Sequence, residues 1–242
     1  MAIPASGQVT LSDLQIEYGG ADPISINEYY RGGAYVPNGA GTATIPTSGA
    51  ITLENFRGTS KTTVVTYNLI GGGGAGGFGA ENGEPSRGSY GGPGGASTIS
   101  ASGIQTITAA GGAGGENTGG GRGTNGTAGA SSAFGTGGYG GSLNSGGGSA
   151  SGYGAAGGGG GGDQGGTYDE GGASGFGGAA GTNLSGTISV VYGTTLTINL
   201  GAGGTPVFSG SYYGGYGSPG RCEISWDGNS QIVTSSGTVV IN

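Results

Sequence analysis

An apolar run passes directly into glycine at Leu69-Ile70-Gly71-Gly72-Gly73-Gly74-Ala75-Gly76-Gly77-Phe78-Gly79. The same transition recurs at 108–112 and at 199–204. Between residues 71 and 183, 48 of 113 residues are glycine, whereas average usage is about 7%. A segment with so few side chains cannot build an ordinary hydrophobic core. Its peptide groups must therefore pack against one another if it is to be ordered.

The arrangement of the glycines narrows the choice of backbone. They come in runs, such as 71–74 and 157–162, without the strict Gly-X-Y period of collagen, and proline occurs only 8 times. A flexible linker is the simpler alternative, but Phe78, Phe134 and Phe176 lie inside the segment. Extended chains with about three residues per turn can approach closely when they lack Cβ atoms and can then bond N–H to C=O. The sequence therefore predicts a bundle of polyglycine-II helices.

From Lys61 onward, apolar and polar residues alternate, which predicts β-strands. Asp227-Gly228-Asn229 is typical of a hairpin turn. The pattern favours a mostly β fold, an antiparallel β-sandwich or jelly roll, with the glycine tracts inserted at one end of this framework. Fixed ends lower the entropic cost of ordering the tracts. The predicted strands are 63–70, 97–101, 104–109, 187–192, 195–200, 222–226, 231–234 and 238–241.

Residues 1–60 differ from the rest of the chain in amino-acid composition and are predicted to form a separate N-terminal module. Residues 61–242 are the glycine-rich domain. The nonapeptide at 3–11 recurs at 45–53, and a helix-capping motif occurs at 10–13, 25–28 and 52–55. Only Ser25–Glu28 has the full hydroxyl-to-glutamate form, and the other two are variants. We expect three short capped helices with little core of their own, which dock on a partner or on other copies.

Composition excludes several classes of function. The chain has 6 Lys+Arg, 13 Asp+Glu and no histidine, for a net charge of −7, so nucleic-acid binding is not expected. The absence of histidine removes the usual catalytic triads, and no phosphate-binding loop occurs, so neither an enzyme nor a cofactor or metal is expected. Asp163, Asp169 and Glu170 are similar to calcium-binding repeats but lack their nonapeptide period.

Cellular context follows from similar arguments. The single cysteine, Cys222, cannot form an internal disulfide, and we expect it to be buried on a strand. No window approaches 18 apolar residues, so membrane insertion is not expected. The first residues lack the features of a signal peptide, which leads us to expect assembly in a cytoplasm. No heptad period specifies an oligomeric state, and a homo-oligomer is left open.

Tyrosine is the remaining residue type that could indicate a function: the chain has 13 tyrosines, many of them flanked by glycine. The rings either lie flat on neighbouring glycine helices and shield their backbone, or stand at loop tips as contact residues. Tyrosine gives a large contact area at low entropic cost. Of the candidates for binding, we expect Tyr212, Tyr213 and Tyr216 to matter most. The full set of candidate receptor-binding residues is Tyr90, Tyr139, Tyr153, Tyr168, Tyr212, Tyr213 and Tyr216.

Two parts of the chain resemble proteins of tailed bacteriophages. The segments 3–7, 14–20, 23–33 and 45–58 are similar to a module of virion proteins from T4-like phages of cyanobacteria. The segments 66–70 and 197–204, each followed by or containing glycines, are similar to the glycine-rich domain of phage fibre proteins. Distal tail-fibre adhesins of T-even-like phages carry such polyglycine-II domains, whose loops bind host surface receptors, although this chain lacks their large N-terminal docking domain.

The resemblance implies a virion structural protein, most simply a tail-fibre or baseplate-associated adhesin located in the virion. Its partners would be other virion proteins and a host cell-surface glycan or outer-membrane protein. A capsid or neck decoration fibre without a receptor is the alternative, and an ice-binding or cell-wall glycine-rich protein is a more distant one. Virion docking is expected to involve residues of the N-terminal module, namely Leu11, Leu14, Tyr18, Tyr29, Tyr30, Arg31, Phe56 and Arg57.

Overall fold

The computed structural model describes residues 2–79, 90–116, 125–157, 159–160, 174–206 and 212–242. Over these ranges the chain is mostly β, with antiparallel sheets and few helices. The strands are β1 Thr62–Ile70, β2 Ser97–Ala101, β3 Ile104–Ala109, β4 Phe134–Thr136, β5 Ser151–Tyr153, β6 Asn183–Val191, β7 Thr195–Asn199, β8 Arg221–Trp226, β9 Asn229–Val233 and β10 Gly237–Val240.

The strands form three sheets in which every pair is antiparallel. Two sheets have four strands, in the orders β6-β1-β8-β9 and β10-β7-β2-β3, and β4 pairs with β5 in a small third sheet. All eight strands expected from the alternation are present; β2 and β3 have the predicted ends, and the ends of the other six are shifted. Strands β4 and β5 were not predicted, because three-residue strands that contain glycine show no alternation.

The two large sheets share one hydrophobic core. Val65, Leu69 and Ile224 come from one sheet, and Ile99 and Ile198 come from the other. Alternation along each strand places these side chains inward, and on β7 it places Thr195, Thr197 and Asn199 outward. Cys222 is buried in this core on β8, as expected.

The predicted hairpin turn at Asp227-Gly228 is confirmed. Trp226 pairs with Asn229, which leaves a two-residue loop between β8 and β9. Asp227 has φ 42° and Gly228 has φ 79°, so both central residues adopt the left-handed region that such tight hairpins require.

The N-terminal module contains one α-helix, α1 Leu11–Tyr18, and 3-10 helices at Ile26–Glu28, Ala40–Thr42 and Leu53–Phe56. The expectation that it has little core is wrong. The buried side chains are Ile3, Val9, Leu14, Tyr18, Tyr29, Val36, Ile45 and Phe56. Three of the aromatic rings meet with centroids 6.3–6.5 Å apart, so they fill this core by edge-on packing.

The capping motifs behave differently from the prediction. Asp13 accepts a hydrogen bond from Thr10 N–H at 2.8 Å, and Asn55 accepts one from Thr52 N–H at 2.8 Å, which forms capping boxes at both variants. Ser25 makes no side-chain cap. The helix that follows it has three residues and ends at Glu28, the position from which the carboxylate would have to reach back.

Within the described ranges, nine glycine segments extend from the β framework. The segments g1, g3, g6 and g8 follow the ends of β1, β3, β5 and β7, and g2, g4, g7 and g9 lead into β2, β4, β6 and β8. The segment g5 connects β4 to β5. The segments are g1 71–79, g2 90–96, g3 110–116, g4 125–133, g5 137–150, g6 154–160 (with residue 158 outside the described ranges), g7 174–182, g8 200–206 and g9 212–220.

Candidate functional site

The backbone of g1 donates hydrogen bonds in a repeat of three residues. Residues 71, 74 and 77 donate to Thr182, Ala179 and Phe176 of g7. Residues 72 and 75 donate to Gly95 and Gly92 of g2, and residues 73, 76 and 79 donate to Ser218, Gly215 and Tyr212 of g9. The N···O distances are 2.8–3.1 Å. Each partner number falls by three as the donor number rises by three, so g1 is antiparallel to all three acceptor segments.

The carbonyl groups of g1 accept hydrogen bonds from three further segments. Gly112 and Gly115 of g3 donate to residues 72 and 75, and Gly157 and Gly160 of g6 donate to residues 74 and 77. Gly204 of g8 donates to residue 73 at 2.8 Å. The segment g1 therefore has six hydrogen-bonded neighbours, three that accept from it and three that donate to it. These bonds use eight of the nine N–H groups and five of the nine carbonyl groups of g1 without any side chain.

The repeat of three continues away from g1. Residues 176, 179 and 182 of g7 donate to Glu116, Ala113 and Ala110 of g3. Residues 175, 178 and 181 of the same segment donate to Gly160, Gly157 and Gly154 of g6. The segments thus form a lattice of hydrogen-bonded chains, and g1 is buried in it along its length.

Close contact between backbones explains why glycine is required. A Cβ atom added at Gly73 would overlap the Ala155 carbonyl group and lie 3.0 Å from Ala156 N. Added Cβ atoms at Gly72 and Gly74 would overlap the carbonyl groups of Ala202 and Ala113. Alanine does occur in the interior, and Ala75 has no exposed surface.

The tyrosines predicted to bind a receptor occupy different places. Tyr139 is 72% exposed, Tyr90 is 63% exposed, and Tyr213 and Tyr216 are 44% and 43% exposed. Tyr212 is half-buried, and its backbone bridges Gly79 at the end of g1 away from the sheets. Tyr168 lies outside the described residues.

Tyr153 contradicts the prediction that it stands at a loop tip. It lies on β5, next to the framework, and pairs with Phe134 of β4. The Arg221 guanidinium carbon is 4.4 Å from the Phe134 ring centroid and 5.6 Å from the Tyr153 ring centroid, and Arg221 also pairs with Glu223. This cation–π contact gives Tyr153 a structural role where bundle and framework meet.

Three exposed tyrosines border residues 146–150, the returning half of g5. The Tyr139 ring lies over Gly148, where an added Cβ would be 2.9 Å from the ring Cγ. The Tyr213 ring lies beside Gly146, with ring carbons 3.8 Å from a Cβ built there, and Tyr216 N–H donates to Ser149 Oγ at 3.3 Å. We call Tyr139, Tyr213 and Tyr216 the tyrosine strip. The Tyr139 and Tyr213 rings lie against glycine backbone, as the shielding interpretation expects, and all three side chains are exposed. A role in receptor binding stays a prediction.

One exposed aromatic residue of the glycine segments was not among the predicted binding residues. This residue, Phe176, is 43% exposed in g7. It lies between two glycines, as Tyr139 does, and this pattern could have identified it from the sequence. Tyr90 and Phe176 both adjoin g3, because Gly91 N–H donates to Gly115 O and Phe176 N–H donates to Glu116 O.

The predicted virion-docking residues are mostly internal. Leu14, Tyr18, Tyr29 and Phe56 fill the core of the module, so they offer no surface to a partner, and this part of the assignment is corrected. Leu11 packs half-buried against the same core.

The polar members of that set bond within the module. Tyr30 donates to Gly49 O, Arg31 donates to Ala43 O at 3.0 Å, and Arg57 pairs with Glu54. Ile16 of α1 was missed, although it is 68% exposed and points away from the buried side of the helix. Ile16 is an apolar residue outside the helical positions that face the core, and this placement could have identified it from the sequence.

The single cysteine, Cys222, is buried on β8. Burial raises the pKa of the Cys222 thiol to about 12, which makes it a poor nucleophile. Over the same ranges, no three Cys, Asp or Glu side chains gather as metal ligands. None of the described helices has the length and apolar character needed to span a bilayer.

Comparison with known proteins adds no relative. No protein-family model matches the chain, and neither the curated proteins nor the solved structures contain a significant match.

Proposed function

We propose that the glycine segments are polyglycine-II helices, packed as a bundle on a jelly-roll framework, and that the chain is a structural protein of a tailed-phage virion. The observation that carries the proposal is the three-residue hydrogen-bond repeat of g1 with its six neighbours. A helix with three residues per turn directs successive N–H groups toward three different neighbours, which accounts for this pattern.

Such a bundle is suited to display. At about 3.1 Å per residue, the nine residues of g1 span roughly 28 Å. Hydrogen bonds between segments hold each chain at intervals of three residues, so surface side chains are presented on a stiff support. Preorganised contact residues lose less entropy on binding than mobile ones. Host-surface attachment by a tail-fibre or baseplate adhesin uses this property.

The module at residues 1–60 is proposed to attach the chain to a larger virion assembly. Its own core supports this role, because a folded module can present a defined surface. Ile16, at 68% exposure, is the first candidate for that surface. The burial of Leu14 and Phe56 leaves them to support the module from within.

The tyrosine strip is proposed as the host-facing surface. Exposed aromatic rings on a stiff backbone suit contact with a glycan or an outer-membrane protein, because each ring buries a large area with few torsions to fix. The contact of Tyr139 with Gly148 also favours a second candidate function, in which the rings only protect the bundle of a capsid or neck decoration fibre.

Binding of the full-length chain to cells separates the two functions. Fluorescently labelled protein is incubated with a panel of cyanobacterial strains and, separately, with virions that lack the protein. An adhesin binds both virions and susceptible cells, whereas a decoration fibre binds virions and no cells. Absence of binding to either would contradict both functions, and a measurable thermal hysteresis would favour ice binding.

A triple variant tests the strip itself. Replacing Tyr139, Tyr213 and Tyr216 with alanine is expected to weaken cell binding at least tenfold, because aromatic contact residues commonly contribute more than about 1 kcal/mol each. Phe176→Ala is the matched control, since Phe176 is also exposed but lies beside g3 and is not a candidate binding residue. Unchanged cell affinity of the triple variant, with its fold intact, would remove the strip from the binding site.

A further inference from the structure

The two large sheets expose an unpaired edge on the same side of the framework. Among the strands that the structure describes, β6 pairs only with β1, and β3 pairs only with β2. The two edges lie together, since Thr182 N–H, just before β6, donates to Ala110 O, just after β3, at 2.8 Å. Within the described part of the chain, no backbone hydrogen bond links residues 104–109 or 184–190 to a further segment.

The β6 edge lacks the usual protection against pairing with another chain, whereas the shorter β3 follows an irregularity in its pairing with β2 at Ile99–Ala101. Neither Asn183–Val191 nor Ile104–Ala109 contains a charged residue or proline. The pairing of β6 with β1 runs through nine residues without a bulge. Proteins normally guard exposed edges with lysine, proline, bulges or short strands. A neutral nine-residue edge in a chain of net charge −7 is therefore a ready surface for strand addition.

An apolar cleft lies between the two edges. It has a volume of about 410 Å³ and is lined by Tyr67, Ile104, Ile107, Leu184 and Ile188, together with polar residues of β3. These apolar side chains pack only partly against the framework core. A partner that covered both edges would remove the remaining apolar surface from water.

We infer that this side of the framework binds the same side of a second copy of the chain. The partner would place its β6 antiparallel to β6 and its β3 antiparallel to β3, about a two-fold axis. A single extended peptide would satisfy one edge and leave the other unpaired. A second copy presents two edges at the same separation, carries the same apolar lining, and brings no charge to either strand.

The size of the contact agrees with a dimer that forms reversibly. Nine residues of β6 span about 30 Å, and two layers about 10 Å apart, with their side chains, give a strip roughly 20 Å wide. Each copy would bury about 600 Å², or about 1,200 Å² in total, which is the lower limit of specific interfaces. Dimerisation should therefore depend on protein concentration.

Sedimentation velocity of the full-length chain over a range of concentrations tests the inference. The variant carrying both Thr187→Lys and Ser189→Lys puts charge on exposed positions of β6 and is expected to raise the dissociation constant at least tenfold. The control carries Thr195→Lys and Thr197→Lys, exposed positions of β7, whose backbone pairs on both sides. A wild-type chain that stays monomeric, or two variants with equal effects, would overturn the inference.

Disulfide formation keeps the inference testable if the lysine variant does not fold. Thr187 is the middle residue of β6, so in the antiparallel pairing it lies close to its counterpart in the second copy. Thr187→Cys should give a covalent dimer on mild oxidation, whereas Thr197→Cys should not. Cys222 is buried and leaves the background low. Equal cross-linking of the two variants, or none with Thr187→Cys, would contradict the pairing.

Discussion

Replacing Gly73 with alanine tests whether the backbones touch. The new methyl group would overlap the Ala155 carbonyl group and lie 3.0 Å from Ala156 N. Non-bonded carbon atoms settle at about 3.5–4.0 Å, and backbone atoms cannot rotate out of the way as a side chain can. The segments g1 and g6 would have to separate, which strains the bonds from Gly157 N–H to Gly74 O and from Gly160 N–H to Gly77 O, both now 3.0 Å.

The expected magnitude follows from three contributions. Overpacking costs about 1–3 kcal/mol, and each weakened hydrogen bond costs about 1 kcal/mol. Alanine restricts the unfolded chain and returns about 0.4–1 kcal/mol. We expect Gly73→Ala to lower the free energy of unfolding by about 2–4 kcal/mol. For a chain of this length, the midpoint of thermal unfolding should fall by about 5–15 °C.

The assay is thermal and urea unfolding, followed by circular dichroism. Gly237→Ala is the matched control, because the nearest atom to an added Cβ is Ser235 O at 3.9 Å. Without a clash, Gly237→Ala should be neutral or should stabilise the chain by up to about 1 kcal/mol, since alanine restricts the unfolded chain. Ala75→Gly in the same segment should cost about 1 kcal/mol through backbone entropy. If Gly73→Ala proved as stable as Gly237→Ala, the close packing of g1 against g6 would be refuted.

Three further predictions concern the module, the core and the junction between bundle and framework. Thr10→Ala should lower the free energy of urea unfolding by about 1 kcal/mol through loss of the capping box, whereas Ser25→Ala should leave it unchanged. Burial raises the pKa values of Cys222 and Tyr18 to about 12, from 9.0 and 10.0. The stability that their neutral forms contribute is therefore present below about pH 9 and is lost as the pH rises toward 12, which urea unfolding at a series of pH values should show. Iodoacetamide at pH 8 should label Cys222 only after unfolding. Arg221→Lys should lower the midpoint of thermal unfolding, because lysine loses the planar contact with the Phe134 ring, and an unchanged midpoint would contradict that contact.

The sequence predicted those parts of the fold that depend on side-chain pattern. Alternation located the eight longer strands, and the Asp-Gly pair located the hairpin turn. The module core was missed because its eight buried residues lie at irregular intervals between Ile3 and Phe56. The partner order of the glycine segments could not be predicted, since glycine carries no side chain to specify which neighbour it meets.

The sequence indicated the kind of residue in the candidate site, tyrosines flanked by glycine, but it located the individual tyrosines less well. Glycine flanks identified Tyr139, Tyr213 and Tyr216, which are exposed on the bundle. The same flanking pattern misplaced Tyr153, whose pairing on β5 and contact with Arg221 depend on residues distant in the sequence. Four of the expected docking residues lie in the module core, because apolar residues at helical spacing mark a core and do not mark a binding surface.

Scalar couplings across hydrogen bonds, measured by NMR between amide nitrogens and carbonyl carbons, test the bundle most directly. The proposed polyglycine-II bundle should give couplings from Gly73, Gly76 and Gly79 to Ser218, Gly215 and Tyr212, in steps of three residues. It also predicts couplings from residues 71, 74 and 77 to residues 182, 179 and 176. Couplings in steps of two to a single neighbour would indicate an ordinary β-sheet. Either that result, or the absence of couplings in g1 of the folded protein, would contradict the polyglycine-II bundle.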